Sequence, residues 1–431
     1  MTEGFTRDSD CLFETLGEFC SFSDSQDQVQ KVVEEILQDI KLNGDEALLR
    51  RTLLYDKATL TKSELAVSKS ELDIARKQLS ETENKSILDA IKNVTFFHEK
   101  SIPENWNSVN LHGAKVGELY YPIRRVGIYI PGGNVPLIST VIMTVTLAKV
   151  ANVNEIVVVT PPDSNGMIAP QMLATLDILG IKEIYKAGGA QAIAALAYGT
   201  ETIPVVDKIF GPGNSFVNEA KRQVYGTVGI DLLPGPSEVM VIADSTAKAS
   251  FVAAALLAQA EHGSGKEKIF LLFSEENQYQ EILVEINLQL ETLTHKKAIR
   301  KVLTNGFLAV HLFSLERMVE VANFVAPEHL ELQVDDNNVD YLVKNITTAG
   351  AFLVGHMTAT SLGDFLAGPS HVLPTGRSSR FSSGLRLHDF LRRSSFIKYD
   401  KDSSVKAAPA LKVFAEMEKL DGHGRSFSIR L

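Results

Sequence analysis

Cysteine is scarce in this chain: there are two in 431 residues, Cys11 and Cys20, both near the N-terminus. Two thiols cannot build a zinc finger, an iron–sulfur site or a disulfide scaffold, so any bound zinc must use nitrogen and oxygen ligands. Basic charge is in deficit, with 43 Lys+Arg against 53 Asp+Glu and a net charge of −10. That balance disfavours a general affinity for nucleic acid or for an anionic membrane surface. Long apolar runs are missing too. The longest charge-free stretch, Val126 to Ala148, is broken by Pro131-Gly132-Gly133-Asn134 and dotted with Ser and Thr. It reads as a buried strand, a loop and a helix, not as a membrane span. The opening MTEGFTRDSD has no apolar core and reads as neither signal nor transit peptide, which makes cytoplasm the expected compartment. There is no Gly-x-Gly-x-x-Gly.

What is present is the composition of a soluble globular protein, 45% hydrophobic and 22% charged, with length for roughly two or three domains of about 150 residues. The first hundred residues read as helices. Val29, Val32, Val33, Ile36, Leu37 and Ile40 recur at helical spacing, and Asn43-Gly44 is a stop. From Arg125 a β–α rhythm begins, with strands expected at 125–130, 155–160, 182–186, 205–210 and 227–232. A second such rhythm starts at Glu238 and runs to a strand at 351–354. The expected fold is α/β: two Rossmann-like parallel α/β domains, a helical N-terminal region and a small C-terminal helical tail. The expected division is a segment 1–25, a first α/β domain of 26–122 plus 239–380, a second (cofactor-binding) α/β domain 123–238, and a tail 381–431 too short to fold alone. Ligands are expected off the carboxyl ends of the strands.

Three Gly-rich turns, Pro131-Gly132-Gly133, Gly188-Gly189-Ala190-Gln191 and Gly211-Pro212-Gly213-Asn214, each lie between a strand and a helix. Alone, each is an ordinary turn. Together they suggest a nucleotide-binding surface, because backbone amides beside helix N-termini bind phosphate. Gln259 and His262 share a helix face at i, i+3 and could reach one metal, or simply cap that helix before Gly263. Glu328-His329 places a carboxylate beside an imidazole at a helix-to-strand junction, two acid–base groups of different pKa. The Gly- and Pro-rich LGDFLAGPSHVLPTG carries Asp364 and His371; Glu418 and His423 read, by themselves, as a helix tail. His98, His112, His295, His311, His356 and His388 read as structural or solvated.

Taken together, RVGIYIPGG, GGAQAIAALAYGT, IFGPGNSFVNEAKR, GIDLLPGPSEVMVIAD, LLAQAEHG, APEHLEL, SLGDFLAGPSHVLPTG and RFSSGL resemble the histidinol dehydrogenase family, zinc- and NAD-dependent enzymes of histidine biosynthesis. The resemblance runs from about Arg125 to His423. It implies zinc held by Gln259, His262, Asp364 and His423. It implies substrate contacts at Ser237, Gln259, His262, His329, Asp364, Glu418 and His423, with His371 beside the reacting carbon, and NAD contacts at Tyr129, Gln191 and Asn214. The implied reaction is a four-electron oxidation of L-histidinol, through L-histidinaldehyde, to L-histidine with two NAD. His329 is the implied base of both hydride steps and Glu328 the activator of the hydrating water. The family's homodimer, with sites completed by the partner's tail, would account for Glu418 and His423. The alternatives are a related zinc and NAD enzyme acting on another polyol or amino alcohol, a zinc hydrolase, and a non-catalytic metal-binding scaffold.

Overall fold

The structure, a computed structural model, describes residues 5–21, 26–132, 136–263 and 265–431. Gly133 and Asn134 of the first Gly-rich turn lie outside the described residues. In chain order the strands are β1 (Thr6–Arg7), β2 (Trp106–Val109), β3 (Lys115–Pro122), β4 (Arg125–Tyr129), β5 (Glu155–Thr160), β6 (Glu183–Lys186) and β7 (Lys208–Phe210). They continue as β8 (Gly229–Ile230), β9 (Glu238–Ala243), β10 (Lys268–Phe273), β11 (Phe307–His311), β12 (His329–Gln333), β13 (Ala351–Val354) and β14 (Leu391–Lys398).

Two parallel sheets form the body. One has five strands in the order β6-β5-β4-β7-β8; the other has six, β1-β11-β10-β9-β12-β13. Both are covered by helices on both faces, which is why their strands read as apolar runs such as IVVVT and IFLLF. The period of two along a strand then divides each run between two cores. Val126, Ile128 and Ile130 enter one cluster and Tyr129, Val157 and Val159 the other. In the second sheet Val239, Val241 and Ala243 face one core, Met240 and Ile242 its opposite. A third, antiparallel ribbon, β14-β3-β2, ties the C-terminal segment to residues 106–122.

The structure groups the N-terminal region differently from the expected division. Val33, Ile36 and Leu37 of helix Gln26–Asp56 pack with Ile193 and Leu196. Leu72, Ala75, Ile87 and Val94, from helices Lys69–Gln78 and Glu81–Glu99, pack with Val141, Val145 and Leu173. Residues 26–99 therefore cover the five-stranded sheet rather than extending the 239–380 unit. Their amphipathic faces declare that they pack, but not on which partner. Of the expected N-terminal segment 1–25, the described residues 5–21 join the six-stranded sheet, with Thr6 paired to Val310 and Leu12 and Leu16 in its core. The expected stop at Gly44 is met: its φ of 51° and ψ of −130° break the run 26–56 into two helices. Strand β8 is shorter than expected. Strands β2, β3 and β14, which lie outside the strands expected from the sequence, are largely wet and lack an alternating apolar pattern that would signal them. Among the described residues no helix is long and apolar enough to cross a membrane.

Candidate active site

Two places gather the residues singled out in the sequence. The first is the carboxyl edge of the five-stranded sheet. A cavity of about 900 Å³ there is lined by Tyr129 at the end of β4, Thr160 at the end of β5, Gly189 and Gln191, and Asn214. Its shape depends on close backbone approaches. A Cβ on Gly132 or Gly188 would come within 2.3 and 2.4 Å of the Pro161 side chain, and one on Gly211, at φ +112°, within 2.0 Å of the Tyr129 carbonyl oxygen. The amide N–H of Gly189 donates to Tyr129 Oη at 3.3 Å, at the N-terminus of helix Gly189–Tyr198. Burial pushes the Tyr129 phenol up to about 12, so it stays protonated. Gln191 is buried with its Nε2 unpartnered. Asn214 caps helix Ser215–Val224, its Oδ1 accepting from the amides of Phe216 and Val217 at 3.1 Å each. That occupies its oxygen and leaves its NH₂ for a ligand.

Behind this wall, Lys221 and Asp231 form a fully buried ion pair. Lys221 Nζ donates to the carbonyls of Gly211 at 2.9 Å and Leu232 at 2.7 Å, and Asp231 Oδ2 accepts from Gly211 N at 2.8 Å. The pair thus fixes Gly211, the first residue of the Gly211–Asn214 turn, at both its N–H and its carbonyl.

The second place is the amino edge of the six-stranded sheet, where β9 and β12 start side by side with His329 in register with Val239. This differs from the expectation of carboxyl-end sites, which holds only for the first sheet. Both Glu328 and His329 are buried. Glu328 Oε2 accepts from Glu238 N at 2.8 Å and lies 3.7 Å from His329 Nδ1, which donates to the Glu238 carbonyl at 3.3 Å. His329 Nε2 faces Asp364 Oδ1 at 3.3 Å. The Asp364 carbonyl accepts from His371 Nδ1 at 2.8 Å, and His371 Nε2 accepts from Thr140 Oγ1 at 3.2 Å.

Burial and neighbours set the charges. Burial pushes Glu328 up to about 7, and burial with the nearby Glu328 charge pushes Glu238 up to about 8. Burial alone would depress His329, but Glu328 and Asp364 outweigh it and raise it. Burial would raise Asp364, yet its hydrogen bond to His329 and the charges of His329, His371 and His262 hold it below the usual carboxylate range. His371 is lowered by burial, only partly offset by Asp364.

Gln259 lies in the last turn of helix Ala249–Ala260, which packs against helix Thr360–Phe365 carrying Asp364. It is buried with Nε2 unpartnered. His262 follows, exposed, and near enough to act on the Asp364 and His371 charges. Ser237 directly precedes Glu238 at the start of β9. Glu418 and His423 stand elsewhere. Both are exposed and line a separate cleft between helices Lys401–Met417 and Asp421–Ser428, with Phe414 and Phe427. Among the described residues no three His, Cys, Asp or Glu side chains of one chain converge to hold a metal ion.

A model of the histidinol dehydrogenase family matches residues 21–431. A histidinol dehydrogenase of Lactiplantibacillus plantarum is 43% identical over 404 residues, covering 94% of this chain and 93% of that one. One from Aromatoleum aromaticum is 40% identical over 426 residues, 97% and 95% covered. The crystal structure of histidinol dehydrogenase from Elizabethkingia anophelis superposes with a TM-score of 0.93 at 37% identity, covering 99% of this chain and 98% of that one. The chain belongs to the histidinol dehydrogenase family.

For a histidinol dehydrogenase family member, three residues of this site carried no sequence signal. Thr140 lies in an apolar helix and Glu238 in a buried strand, where a lone polar residue reads as incidental. Asp56, in the wall of the first cavity, is one acid among many on the N-terminal helices. Strand register and helix packing, not spacing, bring them to the site.

Proposed function

We propose that the chain oxidises L-histidinol through L-histidinaldehyde to L-histidine, with two NAD, as a cytoplasmic homodimer. The observation that carries this is the Glu238–Glu328–His329–Asp364–His371 cluster in a member of this family. The residues fit the implied groups. The unpartnered buried amide of Gln259 beside Asp364 and His262 suits an ion bound by nitrogen and oxygen, with His423 supplied by a second copy's tail. The cavity of Tyr129, Gln191 and Asn214 suits NAD. When bound, NAD accepts hydride and zinc orients and polarises the substrate's nitrogen and oxygen donors.

The chain's own groups handle the protons. The Glu238 carbonyl holds a proton on His329 Nδ1; with Asp364 turned to a bound ion instead of to Nε2, Nε2 would be the atom that takes the alcohol proton, and later the hydrate proton. Glu328, with a pKa near the working pH, takes a proton from the water that adds to the aldehyde. His371 donates from Nδ1 to the Asp364 carbonyl and accepts from Thr140. Burial disfavours its charged form, and these two contacts fix the ring, so that it serves to orient the carbon that reacts.

Mixing the protein with NAD and histidinol while following absorbance at 340 nm, with product analysis, tests the reading. Two NADH per histidine are expected. NADH formed only from another amino alcohol would overturn the substrate, and hydrolysis without NADH would overturn the reaction class. The shared site has its own test. His262→Asn chains and His423→Ala chains, each inactive alone, should regain activity when mixed and allowed to exchange subunits. Proven exchange without recovery would leave each chain self-contained.

A further inference from the structure

Asp56 is the last residue of helix Gln26–Asp56. A carboxylate is disfavoured there, because the helix's carbonyl end already carries partial negative charge. The next residue, Lys57, has a φ of 59°, and its ammonium donates to the Leu54 carbonyl at 2.7 Å rather than to Asp56. Asp56 Oδ2 is buried with no hydrogen-bond partner, and burial pushes the carboxyl up to about 6. Among the described residues no charge or hydrogen bond compensates this arrangement, and Asp56 lines the cavity that holds Tyr129, Gln191 and Asn214.

The rest of that lining narrows the ligand chemistry. Among the described residues it contains Asp56 and Asp163 but no lysine, arginine or histidine. The amides at the start of helix Gly189–Tyr198 provide for a pyrophosphate. A further phosphate would meet carboxylates and no cation. Gly132 and Pro136 mark the side of the cavity that leads into helix Ile138–Val150, whose Thr140 bonds His371. The hydride acceptor belongs at that side. Asp56, with Tyr55, Val29 and Val32, comes from helix Gln26–Asp56, which packs in the core on the opposite face of the sheet from helix Ile138–Val150.

We propose that Asp56 sets cofactor specificity: its carboxylate accepts hydroxyl hydrogen bonds from the adenosine ribose of NAD and repels the 2′-phosphorylated dinucleotide. This rests on the reading of the cavity as the NAD site. In the common dinucleotide-binding fold the ribose acid comes about 20 residues after the glycine turn. Here it comes from a helix that precedes the whole sheet, so no fingerprint spacing would reveal it.

The test is titration of the full-length protein with NADH and with NADPH, following the fluorescence of the reduced nicotinamide. Wild type should bind NADH about 100-fold more tightly than NADPH. Asp56→Asn should weaken NADH about 10-fold and narrow the NADH-to-NADPH ratio to about 10 or less, because charge-assisted hydrogen bonds are about twice as strong as neutral ones. A wild type that binds both equally, or an Asp56→Asn chain with the original ratio, overturns the proposal while leaving the NAD site standing. Binding of neither dinucleotide by wild type overturns both. Should the variant fail to fold, competition on wild type decides: ADP-ribose should displace NADH about 10-fold better than 2′-deoxy-ADP-ribose, and equal displacement overturns the assignment.

Discussion

The two parallel sheets use charge in opposite ways. Around the five-stranded sheet, most buried charges are matched and structural, with Asp56 in the cavity wall the exception. Lys221 pairs with Asp231, Lys186 with Glu71, and Arg125 with Glu155 and Glu183. The cavity at this sheet's carboxyl edge is lined mainly by neutral groups. At the six-stranded sheet, charges are crowded and mismatched: Glu238, Glu328 and Asp364 face His329 and His371. Pairing fixes loops in place. Mismatch leaves groups whose protons move near neutral pH. The first arrangement suits holding a ligand still, the second suits proton transfer.

The sharpest way to break this comparison is to remove a proton acceptor from the second sheet. Glu328→Gln keeps size and hydrogen bonding but cannot take a proton from water. It should slow the aldehyde half-reaction by about 10²–10⁴ while sparing alcohol oxidation. His329→Asn should slow both halves by a similar factor. Single-turnover NADH formation, started separately from histidinol and from histidinaldehyde, measures this. Equal slowing of both halves by Glu328→Gln would give it a shared positioning role.

Removing a paired charge from the first sheet should act on folding and cofactor binding instead. Lys221→Met leaves Asp231 buried without its partner and frees the Gly211 turn. Breaking a buried pair costs about 3–5 kcal/mol. Denaturant unfolding should show that loss, and NADH should bind more weakly, with the acid–base steps at saturating NAD little changed. The double variant Lys221→Met/Asp231→Leu should recover much of the stability. If it recovers none, the lysine's bonds to Gly211 and Leu232 matter more than the charge pair.

The same contrast explains what could be read from sequence. Runs such as IVVVT and IFLLF reveal parallel strands because both faces are buried. The exposed ribbon β2 and β14 offers no such pattern. The Gly-rich turns and Glu328-His329 are local, so spacing shows them. Glu238 is reached only through the register of β9 with β12, and Asp56 only through the packing of its helix on the five-stranded sheet. The partition of residues 26–99 was equally hidden, since an amphipathic face does not name its partner.

The smallest effects expected are shifts of stability with pH, and they carry opposite signs at His98 and Asp56. His98 is buried, both ring nitrogens lack partners, and burial pushes its pKa down to about 4. Between an unfolded value of about 6.5 and that folded value, the unfolded chain binds the extra proton. Its contribution to stability is present above pH ~6.5 and is lost as pH falls through about 4. The loss is about 3 kcal/mol, and His98→Leu should abolish it. Asp56 runs the other way. Its folded pKa lies above the unfolded one, so the native state holds the extra proton from about pH 4 to about 6, and stability falls as pH rises through that window. Water at its exposed edge screens the effect, so Asp56→Asn should raise stability at pH 8 by about 1 kcal/mol and change little at pH 4. Urea unfolding of wild type and both variants across this range measures each. A gain for Asp56→Asn at pH 8, together with weaker NADH binding, would identify Asp56 as a group that strains the fold for the sake of the cofactor. A loss of stability at pH 8 would show that the carboxylate has a structural partner in the folded chain.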